Sequence, residues 1–185
     1  MKLVLASRNP HKLRELRAAL SGWEIVALDA PEDAIEDGST FAENARIKAE
    51  HGRRYAPPGS WVAGEDAGIE VDALGGRPGI HSARWAEHPV ERLLAELVGV
   101  ESRRARYVCE LVAIGPEGSD ERARGVLEGR VATEQRGSEG FGYDPIFVPL
   151  GESRTVAELG DAWKAQHSAR AQAARALARV LVERR

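Results

Sequence analysis

Two pairs of adjacent carboxylates are the strongest chemical signal in this chain. Glu36 and Asp37 precede a predicted helix, and Glu65 and Asp66 follow a short predicted strand, with glycines nearby on both sides. Carboxylates on a loop at the end of a strand suit a hard cation such as Mg²⁺, which prefers oxygen ligands and usually shares substrate phosphates. Such an ion can also activate a water molecule for attack on phosphorus. The alternative is plain solvation, since the chain has 29 acidic residues and most acidic side chains are exposed.

A second candidate site is the loop formed by residues 7–12, which joins an apolar run at 3–5 to a helical pattern. Asn9 suits the N-cap of this helix and Pro10 suits its first position. Free N–H groups and the helix dipole make such a helix start a natural anion site, and Arg8 and Lys12 add positive charge. The loop therefore predicts phosphate binding. The alternative is an ordinary strand–turn–helix unit whose basic side chains are only solvated.

A third candidate is the segment Phe141-Gly-Tyr-Asp144, which combines aromatic faces, a permissive glycine and a carboxylate. Aromatic faces can stack on a base, and a carboxylate can accept a hydrogen bond from its edge; the alternative is core packing around a turn. Lys48, Lys164 and Arg170 are further candidate contacts to phosphate or base. The chain contains no GxxxxGK[ST] or GxGxxG motif and no zinc-like histidine spacing, so neither a P-loop nor a dinucleotide fold is supported.

The bulk properties fit one domain of 185 residues with a real core. The net charge of −3 argues against a broad nucleic-acid surface, which needs a basic face. Cys109 is the only cysteine, lies in an apolar run and is predicted to be in the core. No stretch is long enough to cross a bilayer, and no signal-peptide pattern is present, so we expect a cytoplasmic protein without membrane or nucleic-acid partners.

The periodicity of apolar residues predicts the elements that position these candidates. Strands are predicted at 3–5, 23–28, 61–63, 69–72, 105–114 and 122–131, and residues 140–147 are predicted to join a loop to a last strand. Helices are predicted from residue 10, at 40–53, at 89–98, and from about residue 168 to the C-terminus. Residues 64–68 are predicted as a loop. Helices alternate with strands and residues 105–131 form a hairpin, which indicates an α/β domain with a mixed sheet.

Short segments along nearly the whole chain resemble the inosine/xanthosine triphosphate pyrophosphatase family. In order, they are Ala6-Ser-Arg-Asn-Pro-His-Lys12, Thr40-Phe-Ala-Glu-Asn-Ala45 with Lys48, Gly64-Glu-Asp-Ala-Gly68, Glu70-Val-Asp-Ala-Leu-Gly-Gly76, Arg77-Pro-Gly-Ile80, Ser82-Ala-Arg84, Phe141-Gly-Tyr-Asp-Pro-Ile-Phe147 and Thr155-Val-Ala-Glu-Leu159. Each segment is short, but their joint order is very specific.

The resemblance implies a single domain over residues 1–185, with two lobes, a mixed and strongly twisted β-sheet flanked by helices, and a cleft between the lobes. It also implies a homodimer. The implied activity is Mg²⁺-dependent hydrolysis of the purine nucleoside triphosphates ITP, dITP and XTP to the monophosphate and pyrophosphate, which would cleanse the nucleotide pool.

The resemblance also implies a role for each matching residue. The metal ligands would be Glu36, Glu65 and Asp66, with Asp66 acting as the general base that orients or deprotonates water. The residues that would bind the substrate are Ser7, Arg8, Asn9, Pro10, His11, Lys12, Lys48, Phe141, Gly142, Tyr143, Asp144, Lys164 and Arg170.

The chain departs from the family pattern in three of its motifs. Ser7-Arg8-Asn9 replaces Thr-Gly-Asn, Glu65-Asp66-Ala67-Gly68 replaces Asp-Asp-Ser-Gly, and Ser168-Ala169-Arg170 replaces Ser-His-Arg. The last change removes a histidine used in base recognition. If residues 167 and 169 were both helical, His167 would face roughly 200° away from Ala169. If Ser168 is an N-cap, His167 lies in irregular chain and could turn inward.

These departures leave two alternatives to the implied activity. One is a nucleotide-binding protein that has lost catalysis through the changes at Ala67 and Ala169. The other is a related pyrophosphatase with an altered base preference.

Overall fold

The computed structural model describes residues 1–184, so Arg185 lies outside the described residues. The strands are β1 (Lys2–Leu5), β2 (Glu24–Ala27), β3 (Trp61–Val71), β4 (Arg104–Ile114), β5 (Asp120–Val131) and β6 (Phe147–Pro149). The helices are α1 (Pro10–Ala19), α2 (Phe41–Arg53), α3 (Pro89–Glu96), α4 (Val156–His167) and α5 (Ala169–Glu183). Short 3-10 helices cover Asp72–Leu74, Gly79–His81 and Asp144–Ile146.

Within this part of the chain the strands form one mixed sheet in the order β2-β1-β3-β4-β5-β6. β1 pairs in parallel with β2 and β3, whereas β3 to β6 pair antiparallel. The predicted hairpin is confirmed as β4 and β5, whose pairing runs from Ile114 opposite Asp120 to Arg104 opposite Arg130. The predicted mixed-sheet α/β fold is therefore confirmed.

Side-chain caps fix the starts of the first two helices, as the sequence predicts. The Asn9 side chain accepts hydrogen bonds from the N–H groups of His11 and Lys12, and Pro10 begins α1. Thr40 and Glu43 form a reciprocal capping box at the start of α2. Each cap satisfies backbone donors that would otherwise have no partner, so both helices begin at a defined residue beside the sheet.

The loop predicted at 64–68 is wrong, because these residues lie in the middle of the continuous strand β3. Gly64 and Gly68 allow close packing instead of a turn. A Cβ on Gly64 would overlap the carbonyl oxygen of Ala45 in α2, and one on Gly68 would overlap the carbonyl oxygen of Gly79. Consecutive side chains on a strand point to opposite faces, so Glu65 and Asp66 cannot both face one side of the sheet.

Helix α4 is absent from the sequence-based prediction. Its regular pattern is interrupted by Gly160, whose φ of 84° is non-helical. The signal that could have found it is the capping box formed by Thr155 and Glu158. Ser168 ends α4 and also begins α5, where its hydroxyl accepts a hydrogen bond from the Ala171 N–H at 3.1 Å.

The core contains two large apolar clusters on one face of the sheet, at different positions along β4, and a smaller cluster between α2 and the other face. One contains Leu16 and Leu177, from α1 and α5, packed on the sheet. Another contains Leu93 and Phe147, near α3 and β6. Tyr107 packs against both clusters, so β4 connects them. Cys109 is 1% exposed, which confirms its predicted place in the core. No helix in residues 1–184 is long and apolar enough to span a bilayer.

Replacing Ser168 with alanine is expected to lower the free energy of unfolding by about 1 kcal/mol, because α5 loses its N-cap acceptor. For a chain of this length the melting temperature should fall by roughly 2–4 °C. Ser153→Ala is the matched control, since Ser153 is exposed and lies outside the helices. Equal melting temperatures for the two variants would contradict this role of Ser168.

Candidate active site

A cleft of about 370 Å³ brings together residues that are far apart in the sequence. Its walls come from α1, α2, β3, β4, α4, the start of α5 and the segments around residues 80–84 and 141–144. Two clusters of charged side chains lie along it.

The first cluster is centred on the ammonium group of Lys48 and is called the Lys48 cluster below. Lys48 Nζ lies 3.2 Å from Asp66 Oδ1 and 2.9 Å from Glu36 Oε2, and it donates to the Glu65 carbonyl at 3.1 Å. Asn44 Nδ2 donates to Asp66 Oδ2 at 3.2 Å. Both oxygens of Asp66 are therefore held, and the carboxylates of Glu36 and Asp66 share one cation at the cleft wall.

Charge balance in the Lys48 cluster is incomplete. Burial raises the pKa of Asp66, and the negative charges of Glu65 and Glu36 raise it further. The positive charges of Lys48 and Lys12 lower this pKa, but by less than burial and the two carboxylates raise it. For Lys48, burial favours the neutral form, but Asp66, Glu36 and Glu65 outweigh it and raise the pKa. The lysine therefore stays charged, while Asp66 lies in a setting that further positive charge would stabilise.

Glu65 lies on the other face of β3 and is 0% exposed. Its Oε2 is 2.7 Å from Lys12 Nζ, and its Oε1 accepts from Arg170 Nη2 at 3.1 Å. Burial alone would raise its pKa, but Arg170 and Lys12 outweigh burial and hold the pKa below its usual value. Glu65 is thus an ionised group that anchors two cations.

The predicted set of three metal ligands is not brought together. Among residues 1–184, no three His, Cys, Asp or Glu side chains lie close enough to hold one metal ion. Glu65 is separated from Asp66 because neighbouring residues of a strand face opposite sides. Glu36 and Asp66 do fit such an ion. Both carboxylates contact the ammonium group of Lys48 at the cleft, so their oxygens lie close to each other. Mg²⁺ prefers oxygen ligands and commonly uses one or two carboxylates together with substrate phosphates.

The second cluster consists of Glu15, Asp144, Lys164 and Arg170, all lining the cleft. Lys164 Nζ lies 2.6 Å from Asp144 Oδ2 and also pairs with Glu15 Oε1, while Arg170 pairs with Glu15 Oε2. Burial disfavours the charged form of Lys164, but Asp144 and Glu15 outweigh it and raise its pKa. Glu15 is not among the site residues predicted from the sequence. Its position three residues after Lys12 on one helix was the available signal.

Phe141 lies beside this second cluster. Its ring centroid is 5.0 Å from that of His11, and Lys164 Nζ is 4.6 Å from the ring centre. The Arg170 guanidinium carbon is 5.6 Å from the same centre. These contacts make Phe141 an aromatic surface next to buried cations and the Asp144 carboxylate.

The structure places most, but not all, predicted substrate contacts at the cleft. Residues that line it are Asn9, Lys12, Lys48, Phe141, Gly142, Tyr143, Asp144, Lys164 and Arg170. Ser7, Arg8, Pro10 and His11 lie outside its lining. The Arg8 guanidinium donates to the Ala30 carbonyl at 2.7 Å and pairs with Asp33, and the Ser7 hydroxyl accepts from the Asn9 N–H.

His167 does not replace the histidine that is absent at position 169. Ser168 is an N-cap, as one sequence alternative supposed, but His167 is the last residue of α4 and is not in irregular chain. Its ring stacks on Trp163 at 4.6 Å and is exposed. Ala169 itself is buried and lines the cleft. Its side chain is a methyl group, so it has no polar atom that could bind a ligand.

Comparison with known proteins gives the family. The model of the Ham1 family matches residues 3–180. This chain belongs to the Ham1 family. The match covers the Lys48 cluster and the second cluster together, and the resemblance predicted from the sequence is confirmed.

Individual members of the family are similar over most of their length. A protein of Symbiobacterium thermophilum named dITP/XTP pyrophosphatase is 51% identical, over 85% of this chain and 83% of that protein. A protein of Methylococcus capsulatus with the same name is 46% identical, over 96% and 94%. The solved Ham1 protein of Staphylococcus aureus has a TM-score of 0.87 and 34% identity, with 100% of both chains covered.

Proposed function

We propose that this chain is a hydrolase that converts dITP, ITP and XTP to the monophosphate and pyrophosphate and so cleanses the nucleotide pool. The observation that carries the proposal is a single cleft holding a carboxylate–lysine cluster on one wall and an aromatic, charged pocket on another. Relatives named dITP/XTP pyrophosphatase, which match this chain over most of its length, support the substrate class.

At the Lys48 cluster, the ammonium groups of Lys48 and Lys12 offset the negative charge of a triphosphate. Magnesium held by Glu36 and Asp66 would neutralise further phosphate charge and lower the pKa of a bound water. Asn44 and Lys48 fix the two oxygens of Asp66. Asp66 is thereby held in one orientation, in which its carboxylate accepts the proton of the attacking water.

At the second cluster, the polar groups match the edge of a 6-oxopurine. Among the described residues the Nε of Arg170 is buried without a hydrogen-bond partner, and Arg170 lines the cleft. Arginine commonly donates to the O6 and N7 acceptors of a purine. The Asp144 carboxylate can accept from the N1–H group of hypoxanthine or xanthine. Adenine has an amino group at C6 and an acceptor at N1, so it matches this arrangement poorly.

The alternative of a pyrophosphatase with an altered base preference depends on Ala169, which replaces the histidine of the family pattern. A polar side chain at this buried position would add one contact to the base, and losing such a contact weakens discrimination by about 1–3 kcal/mol. We also propose that residues 1–185 form a single domain with two lobes, that the protein is a homodimer and that it is cytoplasmic. The net charge of −3 supports a protein that does not act on nucleic acid.

The deciding experiment is a panel of ITP, dITP, XTP, ATP, GTP and a pyrimidine triphosphate, each with Mg²⁺ and with excess EDTA. Pyrophosphate release is measured with a coupled inorganic pyrophosphatase. In the EDTA samples the protein is removed by filtration before magnesium and the coupling enzyme are added. We expect kcat/KM for ITP, dITP and XTP to exceed that for ATP at least about tenfold, consistent with the loss of one or two base contacts. EDTA should abolish release.

Other results of the same panel identify the alternatives. Preference for a pyrimidine or for ATP would indicate altered base specificity. Tight binding of ITP without pyrophosphate release would indicate a binding protein and would overturn the proposed hydrolysis.

A further inference from the structure

The two oxygens of Asp144 have unequal protein partners. Oδ2 accepts from Lys164 Nζ at 2.6 Å and from the Phe141 N–H at 2.8 Å. In the part of the chain that the structure describes, Oδ1 has one donor, the hydroxyl of Tyr107 at 3.2 Å. A carboxylate oxygen has capacity for more than one hydrogen bond, so Oδ1 is the oxygen with room for a ligand.

Tyr107 holds its hydroxyl in a fixed position. Its ring lies 4.4 Å from that of Phe147, and it packs against both apolar clusters of the core. The residue also lines the cleft together with Asp144. Burial and the Asp144 charge raise the pKa of Tyr107 well above its usual value, so the hydroxyl keeps its proton and donates it to the carboxylate.

The hydroxyl opposes the effect of burial on Asp144. Burial raises the pKa of this carboxyl, and Lys164 and the Phe141 N–H act against it. A hydrogen bond donated to the ionised form favours ionisation in the same way. The ring alone would satisfy the packing against Phe147, so the hydroxyl has a role that packing does not explain.

We propose that Tyr107 is a positioning residue for base selectivity, which orients the Asp144 carboxylate so that Oδ1 accepts from the N1–H of a 6-oxopurine. The inference rests on the proposed function, because it concerns the base pocket of that same site. Hypoxanthine and xanthine present a donor at N1, whereas adenine presents a lone pair that a carboxylate repels. Selectivity for 6-oxopurines is therefore expected to depend on a tyrosine that does not itself touch the base.

The test compares Tyr107→Phe with Tyr55→Phe. Tyr55 is a matched control because its hydroxyl also donates to a carboxylate, that of Glu32 at 3.4 Å, and neither Tyr55 nor Glu32 lines the cleft. Dissociation constants for IMP and AMP are measured by calorimetry, so the readout does not need turnover. In Tyr107→Phe the preference for IMP over AMP should fall roughly tenfold, as expected for a lost hydrogen bond to a charged group. Tyr55→Phe should keep the preference within about twofold, since its hydrogen bond to Glu32 lies outside the cleft and such surface changes have small effects.

A second variant shows whether Tyr107 acts through Asp144. In an Asp144→Asn background, adding Tyr107→Phe should change the IMP preference by less than about twofold, because coupled residues are non-additive. An unchanged preference in Tyr107→Phe, equal weakening of IMP and AMP, or full additivity with Asp144→Asn would each overturn the inference.

Wild-type hydrolysis of ITP is measured alongside, to keep the two proposals apart. If wild-type protein hydrolyses ITP and Tyr107→Phe keeps the preference, only the role of Tyr107 fails. If wild-type protein binds IMP selectively without hydrolysing ITP, the proposed hydrolysis fails while the role of Tyr107 is still decided by binding. If neither IMP nor AMP binds, both proposals are overturned.

Discussion

Asp66→Asn is expected to lower turnover of the preferred purine triphosphate by about a hundredfold or more, the usual contribution of a general base. The amide cannot accept a proton from water and carries no charge toward a cation. Binding of the nucleotide should change only a few fold, because the ammonium groups of Lys12 and Lys48 remain. One measurement is kcat, from pyrophosphate release. The other is the dissociation constant of the substrate, measured with Ca²⁺ in place of Mg²⁺. Ca²⁺ differs from Mg²⁺ in coordination and is a poor substitute for it.

Glu110→Gln is the matched control for this variant. Glu110 lies directly opposite Asp66 in the β3–β4 pairing and is also a buried carboxylate. It is bound by Arg122 at 2.8 and 2.9 Å and does not line the cleft. We expect this control to keep kcat close to that of the wild type. Near-normal turnover in Asp66→Asn, or an equal loss in both variants, would remove Asp66 from the mechanism.

Local signals in the sequence were sufficient for the elements with strong caps and regular patterns. The N-caps Asn9 and Thr40 and the β4–β5 hairpin lie where the sequence predicts them, since each depends on residues close together in the chain. Helix α4 was missed because Gly160 breaks its helical pattern. The strand through Gly64 was predicted as a loop, because glycines are common in turns. Gly64 is instead needed for close contact with α2, and the local sequence does not distinguish these two reasons for a glycine.

The candidate site depends on contacts that local patterns do not contain. Glu15 and Arg170 form an ion pair although 155 positions separate them, and nothing near either residue in the sequence indicates the other. Lys164 and Arg170 were candidate contacts to phosphate or base from the sequence, and the resemblance to a family placed both among the substrate-binding residues. It did not supply Glu15, and it grouped Glu65 with Asp66 as ligands of one metal, whereas the strand geometry puts them on opposite faces.

This division between Glu65 and Asp66 leads to the second large effect. Glu65→Gln is expected to lower the free energy of unfolding by about 3–5 kcal/mol, the usual result of removing one partner from a buried ion pair. The cations of Lys12 and Arg170 would lose a charge that lies 2.7 and 3.1 Å from them. For a chain of this length, the melting temperature should fall by roughly 6–20 °C.

Glu70→Gln is the matched control, because Glu70 is on the same strand and its pair with Arg106 at 2.7 Å is partly exposed. Such a pair contributes about 0–1 kcal/mol, so this variant should melt close to the wild type. Magnesium titrations of folded protein, performed below both melting temperatures, then show whether Glu65 binds the metal or only pairs with Lys12 and Arg170. A stable Glu65→Gln protein with greatly weakened Mg²⁺ binding would make Glu65 a metal ligand after all. A destabilised protein whose remaining folded fraction binds Mg²⁺ as the wild type does would establish Glu65 as the buried anchor of Lys12 and Arg170.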